Sequence, residues 1–141
     1  MAKKVVVNAD DFGLSPQINR GVFEACEKGM LKSASILANG DGFEDAAAAV
    51  GDFPDLGVGV HLSLVFGTPV APPEKVPSLL FYGGEFARGY KRFFVKYSLG
   101  GIHLEEVEYE WERQIERAMP LNPTHVDYHQ HLNLLPGLLK L

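Results

Sequence analysis

Val5-Val6-Val7-Asn8-Ala9-Asp10-Asp11-Phe12-Gly13-Leu14-Ser15-Pro16 is the stretch from which the fold can be read. Three β-branched residues in a row predict a short strand, buried on both faces. Asp10 and Asp11 break the apolar run. Ser15-Pro16 then reads as a helix N-cap followed by proline at the first helical position, where its missing N–H costs nothing. Ile18, Val22 and Ala25 recur at helical spacing, and Gly29 is placed to end the helix. Strand, acidic turn and helix together make one β/α unit.

The same unit repeats outward from this stretch. Ser33 to Leu37 predicts a second strand, closed by Asn39-Gly40, and the alanine-rich run Phe43 to Val50 a second helix. Val58, Val60 and Leu62 alternate with Gly59 and His61 as a third strand. From Gly67 to Gly89 the chain carries four of its nine prolines and four glycines, which marks a long connection. Such a segment is read either as a mobile surface excursion or as a loop that contacts substrate. Leu104, Val107, Trp111, Ile115 and Ala118 then predict an amphipathic helix, ended by Pro120 and Pro123, and Thr124 to Tyr128 a fourth strand. Alternation of this kind implies parallel strands joined by right-handed crossovers. The expected fold class is therefore α/β, a parallel (β/α) barrel-like fold. Four strands make about half of an eight-stranded barrel, which typically takes about 250 residues. Residues 1–141 read as one domain without a linker, ending in mid-fold.

Composition narrows the function. The chain has 141 residues, 46% hydrophobic and 22% charged, with a formal net charge of −5 from 18 acidic and 13 basic residues. No basic run offers a footprint for nucleic acid or an anionic membrane. Cys26 is the single cysteine, so no internal disulfide forms; within an amphipathic helix it reads as a packed, inert thiol. The apolar run at Val5–Val7 is too short for a signal peptide, and no stretch approaches the length of a membrane span. A cytoplasmic protein is expected.

Three polar clusters fall at predicted strand C-terminal ends, the edge where parallel α/β folds bind ligands. Asp10 and Asp11 are adjacent carboxylates, costly together unless a cation or proton relieves them. Successive strand side chains point to opposite faces, so both reach one site only if the backbone turns, and Phe12-Gly13 is the expected turn. His61 is flanked by Gly59, which permits close backbone approach. In Thr124-His125-Val126-Asp127-Tyr128-His129-Gln130-His131, strand alternation places His125, Asp127, His129 and His131 on one face. Three imidazoles and a carboxylate suit a divalent cation better than a core. Two imidazoles and one carboxylate with open positions are the usual donor set of a hydrolytic metal site, where a second, unbound carboxylate can take the proton from water. The residues alone point to a metal-assisted hydrolase of unspecified substrate.

Val7-Asn8-Ala9-Asp10-Asp11-Phe12-Gly13-Leu14-Ser15, Ser33-Ala34-Ser35, Gly59-Val60-His61-Leu62 and the histidine-rich strand followed by Pro136 together resemble the YdjC-like family of carbohydrate deacetylases, in order and nearly end to end. The resemblance implies an irregular (β/α) barrel of the polysaccharide-deacetylase type that removes acetyl groups from N-acetylated sugars or oligosaccharides. By position it implies Asp11, His61 and His129 as ligands of one divalent ion, magnesium or zinc, and Asp10 as the general base. His125, Asp127 and His131 would support those ligands or face the substrate.

Two other readings are carried alongside: a non-catalytic metal- or ligand-binding fragment, and a different metal-dependent hydrolase. Open sheet edges at Val5–Val7 and Thr124–Tyr128, with an apolar Leu132–Leu141 tail, predict a homodimer.

Overall fold

The fold is described for residues 3–141 in a computed structural model. Strands β1 (Asn8–Phe12), β2 (Ser33–Ile36), β3 (Gly57–Leu62) and β4 (Val126–Tyr128) form a parallel sheet in the order β1-β2-β3-β4. Each strand pairs with its predecessor across an intervening helical connection, as in the winding of a (β/α) barrel. The sheet makes about half of such a barrel.

Helix α1 (Pro16–Lys28) begins as the sequence predicts: the Ser15 hydroxyl accepts from the Ile18 N–H at 3.3 Å, with Pro16 next in line. Its inward face lies slightly round from the expected one. Ile18 and Ala25 are exposed, whereas Asn19 and Val22 are buried and Phe23 and Cys26 pack on the core. Burial pushes the Cys26 thiol pKa up, in keeping with an inert thiol. Asn19 earns its buried place by accepting from the Gly13 N–H and donating to Gly42 O and Asp45.

The first strand is displaced from its predicted position. Val5, Val6 and Val7 are 85%, 75% and 43% exposed and lie outside the sheet. Pairing begins at Asn8, opposite Ser33, because β2 itself starts there. A residue without a partner strand gains nothing from its β-propensity, so the polar Asn8–Phe12 segment forms the strand instead.

Helix α2 (Phe43–Ala49) runs into a 3₁₀ turn, Val50–Asp52. Segment 67–89 is packed and does not lie loosely over the surface: Ala71, Val76, Leu79, Phe86 and Ala87 are buried. Its backbone is anchored to the long helix α4 (Leu104–Ala118). Glu110 accepts from the N–H groups of Val70 and Ala71 at 3.0 and 2.9 Å, and Glu106 from Ser78 at 2.6 Å. The bounds of α4 are those its apolar spacing predicts, but its buried face also includes Glu110 and Gln114. A further helix, α3 (Tyr90–Ser98), was not expected, although Tyr90, Phe93, Phe94 and Tyr97 carry helical spacing; Phe93 is fully buried.

Strand β4 is shorter than predicted. Thr124 N–H and His125 O already bond to β3 ahead of it, and at Tyr128 the strand ends. Gln130 and His131 have left-handed φ values of 53° and 55° inside a 3₁₀ segment, His129–Leu134. The expected shared strand face therefore stops at Asp127, and His131 is exposed beyond it.

Candidate metal centre

The site is assembled at the C-terminal ends of β1, β3 and β4. At Asp11 the chain leaves the extended conformation: φ is 60°, and the β1–β2 register shifts between Ala9 and Phe12. A non-glycine residue in this region carries backbone strain, here held by Phe12, which is fully buried and accepts from the Leu37 N–H at 2.7 Å. The turn that breaks the alternation of Asp10 and Asp11 is thus at Asp11 itself, one residue earlier than Phe12-Gly13.

His61 sits on β3 opposite Asp127 in register. Its Nδ1 is 2.5 Å from Asp127 Oδ1, so with an ionised carboxylate Nδ1 carries a proton and Nε2 is the nitrogen that faces the site. His61 Nε2 lies 3.4 Å from Asp11 Oδ1 and 3.3 Å from His129 Nδ1, and His129 Nδ1 lies 2.9 Å from Asp11 Oδ1. Three donor atoms thus form a small triangle. A cation about 2.0–2.1 Å from each of three donors sets them about 2.9–3.4 Å apart, from octahedral to tetrahedral angles. The residues fit such an ion. Asp11 Oδ1 is moreover buried without a donor aligned on it, despite the nearby imidazoles.

The electrostatics of the ion-free cluster follow from the same contacts. His129 and then His61 hold the Asp11 carboxyl well below the usual carboxylate range, against the effect of burial. Burial pulls the His61 pKa down, but Asp11 and Asp127 outweigh it and push the imidazole up to about 9. Burial likewise raises the Asp127 carboxyl, and its bonds to His61 and Ser35 overcome that and lower it. The cluster therefore holds positive charge on His61 at neutral pH, and a divalent cation would take the place of that proton.

The remaining predicted residues are placed differently. His125 lies beneath the triad, its Nε2 3.1 Å from Ser35 Oγ and its Nδ1 2.9 Å from Thr124 Oγ1. Asp10 is exposed and accepts from Asn8 Nδ2 at 2.8 Å. His131 is not part of the cluster. Beside His129 opens a cleft of about 590 Å³ whose walls include Asp41, Phe66, Thr68, Glu85 and Arg88. Half of the cleft's lining, including Thr68, Glu85 and Arg88, comes from segment 67–89, which favours its reading as a loop at the site's mouth. Asn8 and Ser35 were missed as site residues, although Ser33-Ala34-Ser35 is an alternating polar pattern in an otherwise apolar strand.

The family model described as YdjC-like protein matches residues 4–141. The chain belongs to the YdjC-like family. Among its relatives, a carbohydrate deacetylase of Brevibacillus brevis is 39% identical over 140 residues, covering 98% of this chain and 53% of that protein. A chitooligosaccharide deacetylase of Enterobacter sp. (strain 638) is 37% identical over 144 residues, covering 100% and 54%. The crystal structure of an Enterococcus faecalis V583 protein, provisionally described as a cellobiose-phosphate cleavage protein, superposes with a TM-score of 0.86 at 34% identity, covering 99% of this chain and 54% of that one. The chain spans about half the length of these relatives. No helix among the described residues is long and apolar enough to cross a membrane.

Proposed function

We propose that this chain carries the metal centre of a carbohydrate deacetylase, a hydrolase that cleaves the amide bond of N-acetylated sugars. The observation that carries the reading is the triangle of Asp11, His61 and His129 donor atoms, with Asp127 fixing the His61 tautomer from behind. The names of the two deacetylase relatives supply the substrate class, and the cleft beside His129 is large enough for a sugar residue.

In this reading Asp11, His61 and His129 hold one divalent cation, which polarises the acetyl carbonyl and acidifies water when bound. Two imidazoles and a carboxylate suit zinc better than magnesium. Asp10 takes the proton from water, a role open to a carboxylate that does not hold the metal. Asp127 keeps Nδ1 of His61 protonated, which keeps Nε2 free to ligate. Residues 1–141 then form the N-terminal part of a deacetylase domain, and a cytoplasmic location belongs to the same reading.

Acetate release from N-acetylchitooligosaccharides, measured before and after chelation and after zinc or magnesium is restored, tests the proposal. Turnover that survives complete chelation would overturn it. A second reading is a unit that binds metal or sugar without turnover, since the donor triangle by itself accounts for binding alone. Cation binding without acetate release would select that reading.

A further inference from the structure

Ser35 is fully buried on β2, and its hydroxyl is the meeting point of side chains from three directions. It lies 2.6 Å from Asp127 Oδ2, 2.9 Å from Asn8 Nδ2 and 3.1 Å from His125 Nε2. Strands β2 and β4 are not neighbours, because β3 runs between them. The bridge crosses β3 at Gly59, the residue paired with Ser35 in register. A Cβ at Gly59 would collide with the His125 ring, on the line the bridge takes. Two strand spacings, about 9.6 Å, are spanned by side chains only because that position is empty of one.

Counting protons at the Ser35 hydroxyl leaves one arrangement. A serine hydroxyl has one proton and two acceptor positions. An ionised Asp127 can only accept, so the proton goes there. Asn8 Nδ2 and His125 Nε2 must then both donate to Ser35 Oγ. Asn8 cannot flip, since its second amide hydrogen goes to the Asp10 carboxylate and its Oδ1 accepts from Ser33 Oγ at 2.5 Å. The Nε2 proton of His125, the amide of Asn8 and the carboxylate of Asp127 converge on one hydroxyl, while His125 Nδ1 faces Thr124 Oγ1, which itself donates to Val58 O at 3.2 Å.

We propose that Ser35 is the positioning residue of this site, its hydroxyl locking Asp127 behind His61 and, through Asn8, holding Asp10. A continuous run Asp10–Asn8–Ser35–Asp127–His61 connects the proposed base to a proposed ligand. The geometry stands on its own; the consequence for metal binding rests on the function proposed above. Removing an outer partner of this kind costs about 10–100-fold in metal affinity.

The test uses the purified chain. Zinc titration calorimetry compares wild type, Ser35→Ala, Asp127→Asn and the double variant, and ¹⁵N NMR of chelator-treated protein reads the histidine tautomers. Ser35→Ala is expected to lose about 10-fold or more in zinc affinity. The double variant should lose no more than Asp127→Asn alone, because Ser35 acts through Asp127. His125 should be the Nε2–H form in wild type and lose that preference in Ser35→Ala. Additive affinity losses, or an unchanged His125 tautomer, overturn the proposal. If wild type takes up no zinc, the metal reading fails and the tautomer comparison decides the role of Ser35 by itself. Should Ser35→Ala not fold, Ser35→Cys keeps the volume with a weak donor and is read in the same way.

Discussion

His61 Nδ1 lies 2.5 Å from Asp127 Oδ1, between residues that face each other in register across β3 and β4. With 4% of its side chain exposed, His61 is both buried and charged in the ion-free protein, a state maintained by carboxylates on two sides. Stability should therefore depend on pH in a defined way. The folded state holds the His61 proton up to about pH 9, against an ordinary value of 6.5. That contribution is complete below pH 6.5 and lost as pH rises through about 9. Asp11 and Asp127 are shifted the other way: their contribution is present above the ordinary value of 3.8 and lost as pH falls below it. Urea midpoints of chelator-treated protein should decline from pH 6.5 to 10, and less steeply in Asp127→Asn. Superimposable alkaline limbs for the two proteins would contradict this account.

Each corner of the donor triangle should matter to cation binding. His129→Ala removes one of three donors and leaves Asp11 Oδ1, which is buried, without its 2.9 Å neighbour. Zinc affinity should fall by about 10²-fold or more, beyond the 10–100-fold typical of outer partners. Calorimetry on wild type and variant reads this directly; equal dissociation constants would remove His129 from the site.

Asp10 should separate turnover from occupancy. It is exposed, bonded to Asn8 and outside the donor triangle. Asp10→Asn should reduce acetate release by about 10²-fold or more, the usual size of a general-base contribution. Zinc affinity should stay within about threefold, since the donors nearest the ion are those whose loss costs affinity most. Near-normal acetate release from zinc-loaded Asp10→Asn would assign the base to another group.

The exposed apolar side chains near the sheet's last strand predict self-association. Val126, Leu134, Leu139 and Leu141 are 46%, 72%, 66% and 46% exposed, beside a strand that pairs on one side only. An open strand edge next to such a patch is the surface that two copies would bury, most simply about a two-fold axis. Light scattering coupled to gel filtration at micromolar concentration should give twice the chain mass. A monomer with cooperative unfolding would mean that the four strands close their own core.

Local chemistry made much of this protein legible in advance. The Ser15-Pro16 cap, the glycine at the end of α1 and the bounds of α4 follow from spacing and capping alone, because helices are stabilised by contacts three and four residues apart. Helix α3 was equally legible in its Tyr90-Phe93-Phe94-Tyr97 spacing and was obscured by the prolines and glycines before it. The alternation of β and α units, and the three polar clusters at strand ends, also belong to the sequence. What tertiary structure decided was pairing between distant residues. Val5–Val7 is excluded from the sheet because β2 starts at Ser33, and Asp11 turns at φ 60° because Phe12 must be buried against β2. Ser35 and Asp127 are separated by 92 residues and meet only because Gly59 leaves a gap over β3. No local pattern encodes that bond, since it exists only when three strands share one register.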